Sequence, residues 1–228
     1  MSTKDQTCIV VGGGLAGLVA ATVLQREGVR VTVLDKGRGI GGRLATRRIQ
    51  DDTLGEGVFD YGAQYFTVRD PRYRSWVDQW LKVGVAAQWA PNFVTEDGVL
   101  HGAGEPRYRG VQGIRGIAKY LAANLDVHTG TRVVEISWDR DRWSARTEVD
   151  SVLRGDVLVL TPPVPQSLEL IHASGIALPL AARDRLRAVA YEACLAVLAL
   201  LPGPSQIPEP GGMWLSGDPI AWIADNQQ

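Results

Sequence analysis

Three glycines, a carboxylate and an arginine near the N-terminus have the types and spacing to hold a phosphate-bearing cofactor. Gly12, Gly14 and Gly17 form the pattern Gly-x-Gly-x-x-Gly, Asp35 follows 18 residues after Gly17, and Gly41-Gly42-Arg43 comes soon after it. Gly12 permits a tight turn, Gly14 lets the backbone approach a pyrophosphate, and Gly17 lets a helix pack closely on a strand. The N–H groups of a helix opening at Leu15 would face the phosphates. Asp35 is placed to accept the hydroxyls of an adenosine ribose. Gly41-Gly42-Arg43 adds a second close backbone approach and a guanidinium able to pair with phosphate. Two glycine turns and an arginine around one pyrophosphate suit a buried, permanently bound FAD better than an exchangeable NAD.

Other chemistries find little support. His101, His128 and His172 share no ligand spacing with one another or with cysteine, so no metal site is expected. Cys8 and Cys194 each sit in an apolar run and read as two buried thiols of a reducing compartment. No Cys-x-x-Cys marks a flavin disulfide reductase, and no Ser/His or His/Asp constellation singles out a catalytic residue. The chain has 228 residues, 45% hydrophobic and 21% charged, with a formal net charge of −1. That balance argues against nucleic-acid binding or a polybasic membrane contact. No apolar run is long enough to span a bilayer, no signal peptide is visible, and a cytoplasmic location is expected.

The elements that must position the glycines are legible as periodicity. Cys8–Val11 reads as a strand, Leu15 to about Glu27 as a helix, and Val29–Leu34 as a second strand ending at Asp35. Asp70-Pro71 caps a helix carrying Tyr73, Trp76, Val77, Trp80 and Leu81, which Gly84 ends. Short strands are expected near Val85–Trp89, Asn92–Thr95 and Val99–Gly102, and an amphipathic helix over Gln112–Leu125. Asp126–His128, Thr131–Trp138 and Arg142–Thr147 read as a strand and a meander. Asp156–Thr161 reads as a central strand of a parallel sheet. Residues 164–190 are expected to be helical in two pieces, with strands over 191–201 and 220–224.

Several segments taken together resemble the renalase family, within the amine-oxidase-like FAD flavoproteins. They are the glycine motif with Asp35-Lys36, Gly41-Gly42-Arg43, Asp60-Tyr61-Gly62-Ala63-Gln64-Tyr65-Phe66, Val111-Gln112-Gly113-Ile114, Arg132-Val133-Val134-Glu135-Ile136, Thr161-Pro162-Pro163-Val164-Pro165 and Ala224-Asp225-Asn226. The resemblance implies an α/β fold: a Rossmann-like FAD-binding domain of the glutathione-reductase/amine-oxidase type with an interleaved α+β substrate domain. It divides the chain into 1–66 plus 107–163 for FAD and 67–106 plus 164–228 for substrate. It implies that Ala16 places its backbone at the pyrophosphate and that Asp35 holds the adenosine ribose, with Gly12, Gly14, Gly17 and Lys36 also among the cofactor-binding residues. It places Gly42 and Arg43 at the phosphate or ribityl region, Gln64 and Tyr65 beside the isoalloxazine, and Val133 at the adenine through its backbone. The activity it implies is hydride transfer from 2- and 6-dihydro isomers of NAD(P) to flavin, with O2 reoxidising the flavin to give H2O2. Other readings of the residues are a related flavoenzyme acting on an amine or a desaturation substrate, and a catalytically silent dinucleotide-binding protein. The chain ends at Gln228, short of the glycine-rich return segment that such proteins carry, so a C-terminal truncation is expected.

Overall fold

The structure, a computed structural model, describes residues 6–102 and 104–226; Gln227 and Gln228 lie outside the described residues. The first half of the chain forms β1 (Thr7–Val11), α1 (Leu15–Arg26), β2 (Arg30–Leu34), β3 (Thr46–Asp51), β4 (Gly55–Asp60), β5 (Phe66–Thr67), α2 (Pro71–Lys82), β6 (Ala86–Ala90), β7 (Phe93–Thr95), β8 (Leu100–His101) and β9 (Arg107–Gly110). The second half forms α3 (Arg115–Ala122), β10 (Asp126–His128), β11 (Val133–Asp139), β12 (Arg142–Thr147), β13 (Val152–Gly155), β14 (Val157–Leu160), α4 (Val164–Ala173), α5 (Leu180–Arg187), β15 (Gly212–Trp214) and β16 (Trp222–Ala224). The chain packs as two compact units. One takes in the chain up to Arg43 together with Ala118–Cys194, the other Leu44–Ile117 and the chain from Leu195 onward.

The first unit is built on a parallel four-stranded sheet in the order β10-β2-β1-β14. Strand alternation sends Cys8 and Val10 to one face and Ile9 and Val11 to the other. Cys8 and Val10 meet Ala21 and Leu24 of α1, and Ile9 and Val11 meet Ile136, Ala145 and Trp143 of the meander with Leu170 and Ile171 of α4. An apolar strand covered on both faces is what a parallel βαβ sheet requires. β14, expected at the centre of that sheet, lies at its edge: it pairs with β1, and among the described residues no strand pairs with its other side.

The second unit holds three small sheets: the hairpin β3-β4, the three-stranded β5-β9-β6, and β16-β15-β7-β8. Its buried residues include Val77 and Trp80 of α2, Phe93, Tyr108, Ile114 and Ile117. Asp70 caps α2 by accepting the Arg72 N–H at 2.8 Å, and Gly84 ends that helical segment at φ +74°. α3 is shorter than the periodicity over Gln112–Leu125 suggests. The turn at Gly113, φ +88°, delays its start to Arg115.

Two further expectations fail. Residues 191–201 form no strand: no neighbouring strand pairs with them among the described residues, and Leu195 and Val197 are 96% and 93% exposed. Cys194, within that run, is exposed rather than buried, while Cys8 is buried on β1.

Candidate functional site

In the first unit, Gly12 leaves β1 at φ +108°, a conformation side chains rarely adopt, and a Cβ there would stand 2.5 Å from the Thr161 Oγ1. A Cβ on Gly17 would overlap the Gly12 carbonyl oxygen. Gly17 therefore fixes how closely α1 seats on its strand. Thr161 locks the same corner, donating to the carbonyls of Val11 at 3.0 Å and Gly12 at 3.1 Å.

The second glycine turn lies directly on the first. The Gly41 N–H donates to the Gly13 carbonyl at 2.8 Å, and Gly14 and Gly41 form a parallel bridge. Gly42, at φ +55°, brings its backbone so near that a Cβ would sit 3.3 Å from the Gly14 Cα. By contrast, a Cβ position on Gly14 meets nothing closer than the Gly41 carbonyl oxygen at 4.0 Å. Gly14 also begins α1 without a side-chain cap and without an acid in the first turn. Open space, uncapped N–H groups and Ala16 in that first turn form a cradle for a negatively charged group.

Asp35 does more than the sequence suggests. Its carboxylate accepts the Gly13 N–H at 2.6 Å and the Gly37 N–H at 2.7 Å, so it braces the glycine turn from the end of β2. Its own backbone is held by the β10 turn: Asp35 N–H donates to the His128 carbonyl and the Thr131 N–H to the Asp35 carbonyl. Lys36 Nζ donates to Gln166 Oε1 at 2.9 Å. The Arg43 guanidinium carbon lies 5.6 Å from the ring centroid of Tyr191. Tyr191 is a site neighbour that sequence reasoning missed, because no local pattern links it to residue 43. Val133 begins β11 opposite Thr147, its side chain packed on the meander face of the core.

Gln64 and Tyr65 belong to the second unit. Gln64 donates from Nε2 to the Asp60 carbonyl at 3.0 Å and accepts the Trp222 Nε1–H at 2.5 Å. The Tyr65 ring lies 5.5 Å from Phe93, 6.1 Å from Trp222 and 6.4 Å from Trp89, with the Arg107 guanidinium carbon 5.6 Å from its centroid. Beside this aromatic cluster opens a cleft of about 490 Å³, bounded by β3-β4, β9, the Gly110–Gly113 turn and Asn226. Asp60 is buried at its floor. It accepts the Thr46 hydroxyl at 2.5 Å and the Ile114 N–H through both oxygens, at 3.0 and 2.9 Å. Burial pushes the Asp60 carboxyl above the ordinary value, partly offset by those bonds and by the nearby charge of Arg109. Among the described residues no group of three or more His, Cys, Asp and Glu side chains could hold a metal ion, and no helix is long and apolar enough to cross a membrane.

The NAD(P)-binding Rossmann-like domain matches residues 10–80, and the flavin containing amine oxidoreductase family matches residues 93–223. Mouse renalase is 28% identical over 192 residues, covering 80% of this chain and 54% of that protein. Carotenoid phi-ring synthase of Streptomyces griseus is 42% identical over 65 residues, 26% of this chain and 13% of the synthase. Among solved structures, a fatty acid isomerase from P. acnes that produces CLA shares the fold with a TM-score of 0.60 at 14% identity, covering 81% of this chain and 64% of that one. A putrescine oxidase variant does so at 0.61 and 13% identity, covering 80% and 63%. The chain thus spans about half the length of mouse renalase.

Proposed function

The chain belongs to the flavin containing amine oxidoreductase family, and from that premise we propose that it is a renalase-like, FAD-dependent oxidoreductase. It takes hydride from the 2- and 6-dihydro isomers of NAD(P), and O2 is the final acceptor, yielding H2O2. The observation that carries the cofactor assignment is the stacking of two glycine turns, Gly12–Gly17 and Gly41–Gly42, with open space left at Gly14. Bound there, FAD supplies the two-electron acceptor.

The chain's own residues orient and hold. Gly14, Ala16 and the first-turn N–H groups of α1 take the pyrophosphate, Gly12 and Gly17 keep the turn close, and Gly42 brings the second backbone alongside. Asp35 steadies the turn and offers its remaining lone pairs to the ribose, with Lys36 beside it. Arg43 supplies a guanidinium for phosphate. Val133 offers its backbone to the adenine. Gln64 and Tyr65 are assigned to the isoalloxazine on the resemblance. Hydride leaves a dihydronicotinamide carbon without a strong protein base, so positioning carries the catalysis. The cytoplasm suits a chain whose two cysteines are both free thiols.

The test is spectroscopic. The purified chain should carry flavin absorbance, or take up added FAD, and bleach anaerobically when mixed with a 2- or 6-dihydro isomer. Bleaching by simple amines instead transfers the chain to amine oxidation, and a colourless protein that ignores FAD overturns the cofactor assignment.

A further inference from the structure

The cleft of the second unit is lined by Arg48, Glu56, Asp60, Arg109 and Asp225, with Trp89 on its wall. Its acceptors are committed. Glu56 holds the Arg48 guanidinium at 2.5 Å, Asp60 is filled by Thr46 and Ile114, and Asp225 accepts the Ser205 hydroxyl at 2.7 Å. Its donors are not. The Arg109 guanidinium acts on Asp60 through its charge and makes no hydrogen bond or ion pair to any described residue. Asn226 spends its carbonyl oxygen on the Asp60 N–H at 2.7 Å, which leaves the NH2 half of that amide uncommitted. Gln112 stands exposed at the rim. Trp89 is fixed in place, its Nε1–H given to the Pro210 carbonyl at 2.7 Å.

We propose that this cleft binds a small, flat molecule bearing a carboxylate or phosphate, with Arg109 as its counter-charge and Trp89 as its apolar wall. A planar guanidinium without a partner is matched by a bidentate oxyanion. An indole already tied by its N–H offers its body for ring contact and needs no further polar partner. Arg48 cannot take that role without breaking its pair with Glu56. Gln64, assigned above to the isoalloxazine, also lines this cleft, so binding is measured with and without FAD to tell the two assignments apart.

Calorimetric titration of the full chain, with and without added FAD, tests it with three probes sharing one ring: benzoate, phenyl phosphate and benzylammonium. One or both anions should bind and the cation should not, with affinity falling as salt rises. Benzoate alone marks a carboxylate ligand, phenyl phosphate alone a phosphate ligand. Arg109→Met should weaken anion binding by about tenfold or more. Lys82→Met, on the far end of α2, should change it less than about twofold. If Arg109→Met is misfolded by circular dichroism, Arg109→Lys takes its place: it keeps the charge, loses the fork and should bind with intermediate affinity. The proposal is overturned if neither anion binds, if benzylammonium binds more tightly than benzoate, or if the folded Arg109 variant binds like the parent. A colourless chain that still binds the anions would count against the flavin assignment alone.

Discussion

Arg43 and Tyr191, far apart in sequence, share a cation–π contact with 5.6 Å between guanidinium carbon and ring centroid. The ring is itself held, since Tyr191 Oη accepts the Val164 N–H at the start of α4, 3.1 Å away. An arginine expected to serve a phosphate thus has its flexible side chain restrained beforehand, which lowers the entropy lost on binding.

Removing that restraint should weaken flavin retention. Tyr191→Ala is expected to raise the FAD dissociation constant about fivefold, as loss of a contact of about 1 kcal/mol does. Tyr191→Phe keeps the ring and should stay within about twofold. Flavin fluorescence on ultrafiltration reads both, and equal retention in parent and Ala variant would remove Tyr191 from the site.

Gly17→Ala should be among the most damaging single methyl additions. The new Cβ falls on the Gly12 carbonyl oxygen, part of the backbone and unable to rotate aside. The expected loss is about 3 kcal/mol, the upper end of overpacking costs. An unchanged urea midpoint would contradict the packing described for α1.

Asp35→Ala leaves the Gly13 and Gly37 N–H groups without their acceptors. Each orphaned donor costs about 1–3 kcal/mol where water does not replace the bond. Both thermal stability and flavin uptake should fall, with Asp35→Asn between parent and Ala. A melting curve indistinguishable from the parent would show that the brace carries no stability.

Two aspartates should respond to pH with opposite sign. Asp70 is held down to about 2, chiefly by its hydrogen bond with the Arg72 side chain and then by the Arg72 N–H. Its contribution is present above the unfolded value of 3.8 and is lost as pH falls toward 2. Asp60 is shifted upward by burial. Its contribution is therefore complete below 3.8 and declines as pH rises through its higher folded value. Urea melts across pH should lose the acid-side slope in Asp70→Asn, and a slope unchanged from the parent would contradict the cap.

The two thiols should separate cleanly. Burial pushes Cys8 up to about 11, whereas Cys194 is exposed. A disulfide reagent at neutral pH should titrate one thiol in the folded chain and the second only in denaturant. Rapid reaction of both in the native protein would place Cys8 outside the core.

The readable parts of this chain were those governed by local rules. The glycine turn, its flanking strands and the Asp70-Pro71 cap each depend on residues within a few positions, and each appears where spacing placed it. The hairpin of Thr46–Asp51 with Gly55–Asp60 is not legible in the sequence, because its outward residues Arg47, Arg48 and Glu56 blur the alternation. The edge position of Val157–Leu160 was hidden because its apolar run matches that of a central strand. In the candidate site, Asp35 and Arg43 could be named from order along the chain. The roles of Thr161 and Tyr191 could not, since they come from contacts across roughly 150 residues that no periodicity encodes.

The run from Tyr191 to Leu201 has a consequence for handling the protein. It offers β-prone, weakly charged residues to solvent, guarded only by Glu192 and Pro202, and Leu195 and Val197 are almost bare. A patch of that kind behaves as a colloidal adhesive. Its stickiness grows with protein concentration and with salts that salt hydrocarbon out of water. Lysines at positions 195 and 197 would act as gatekeepers, raising solubility while leaving every strand pairing described above in place.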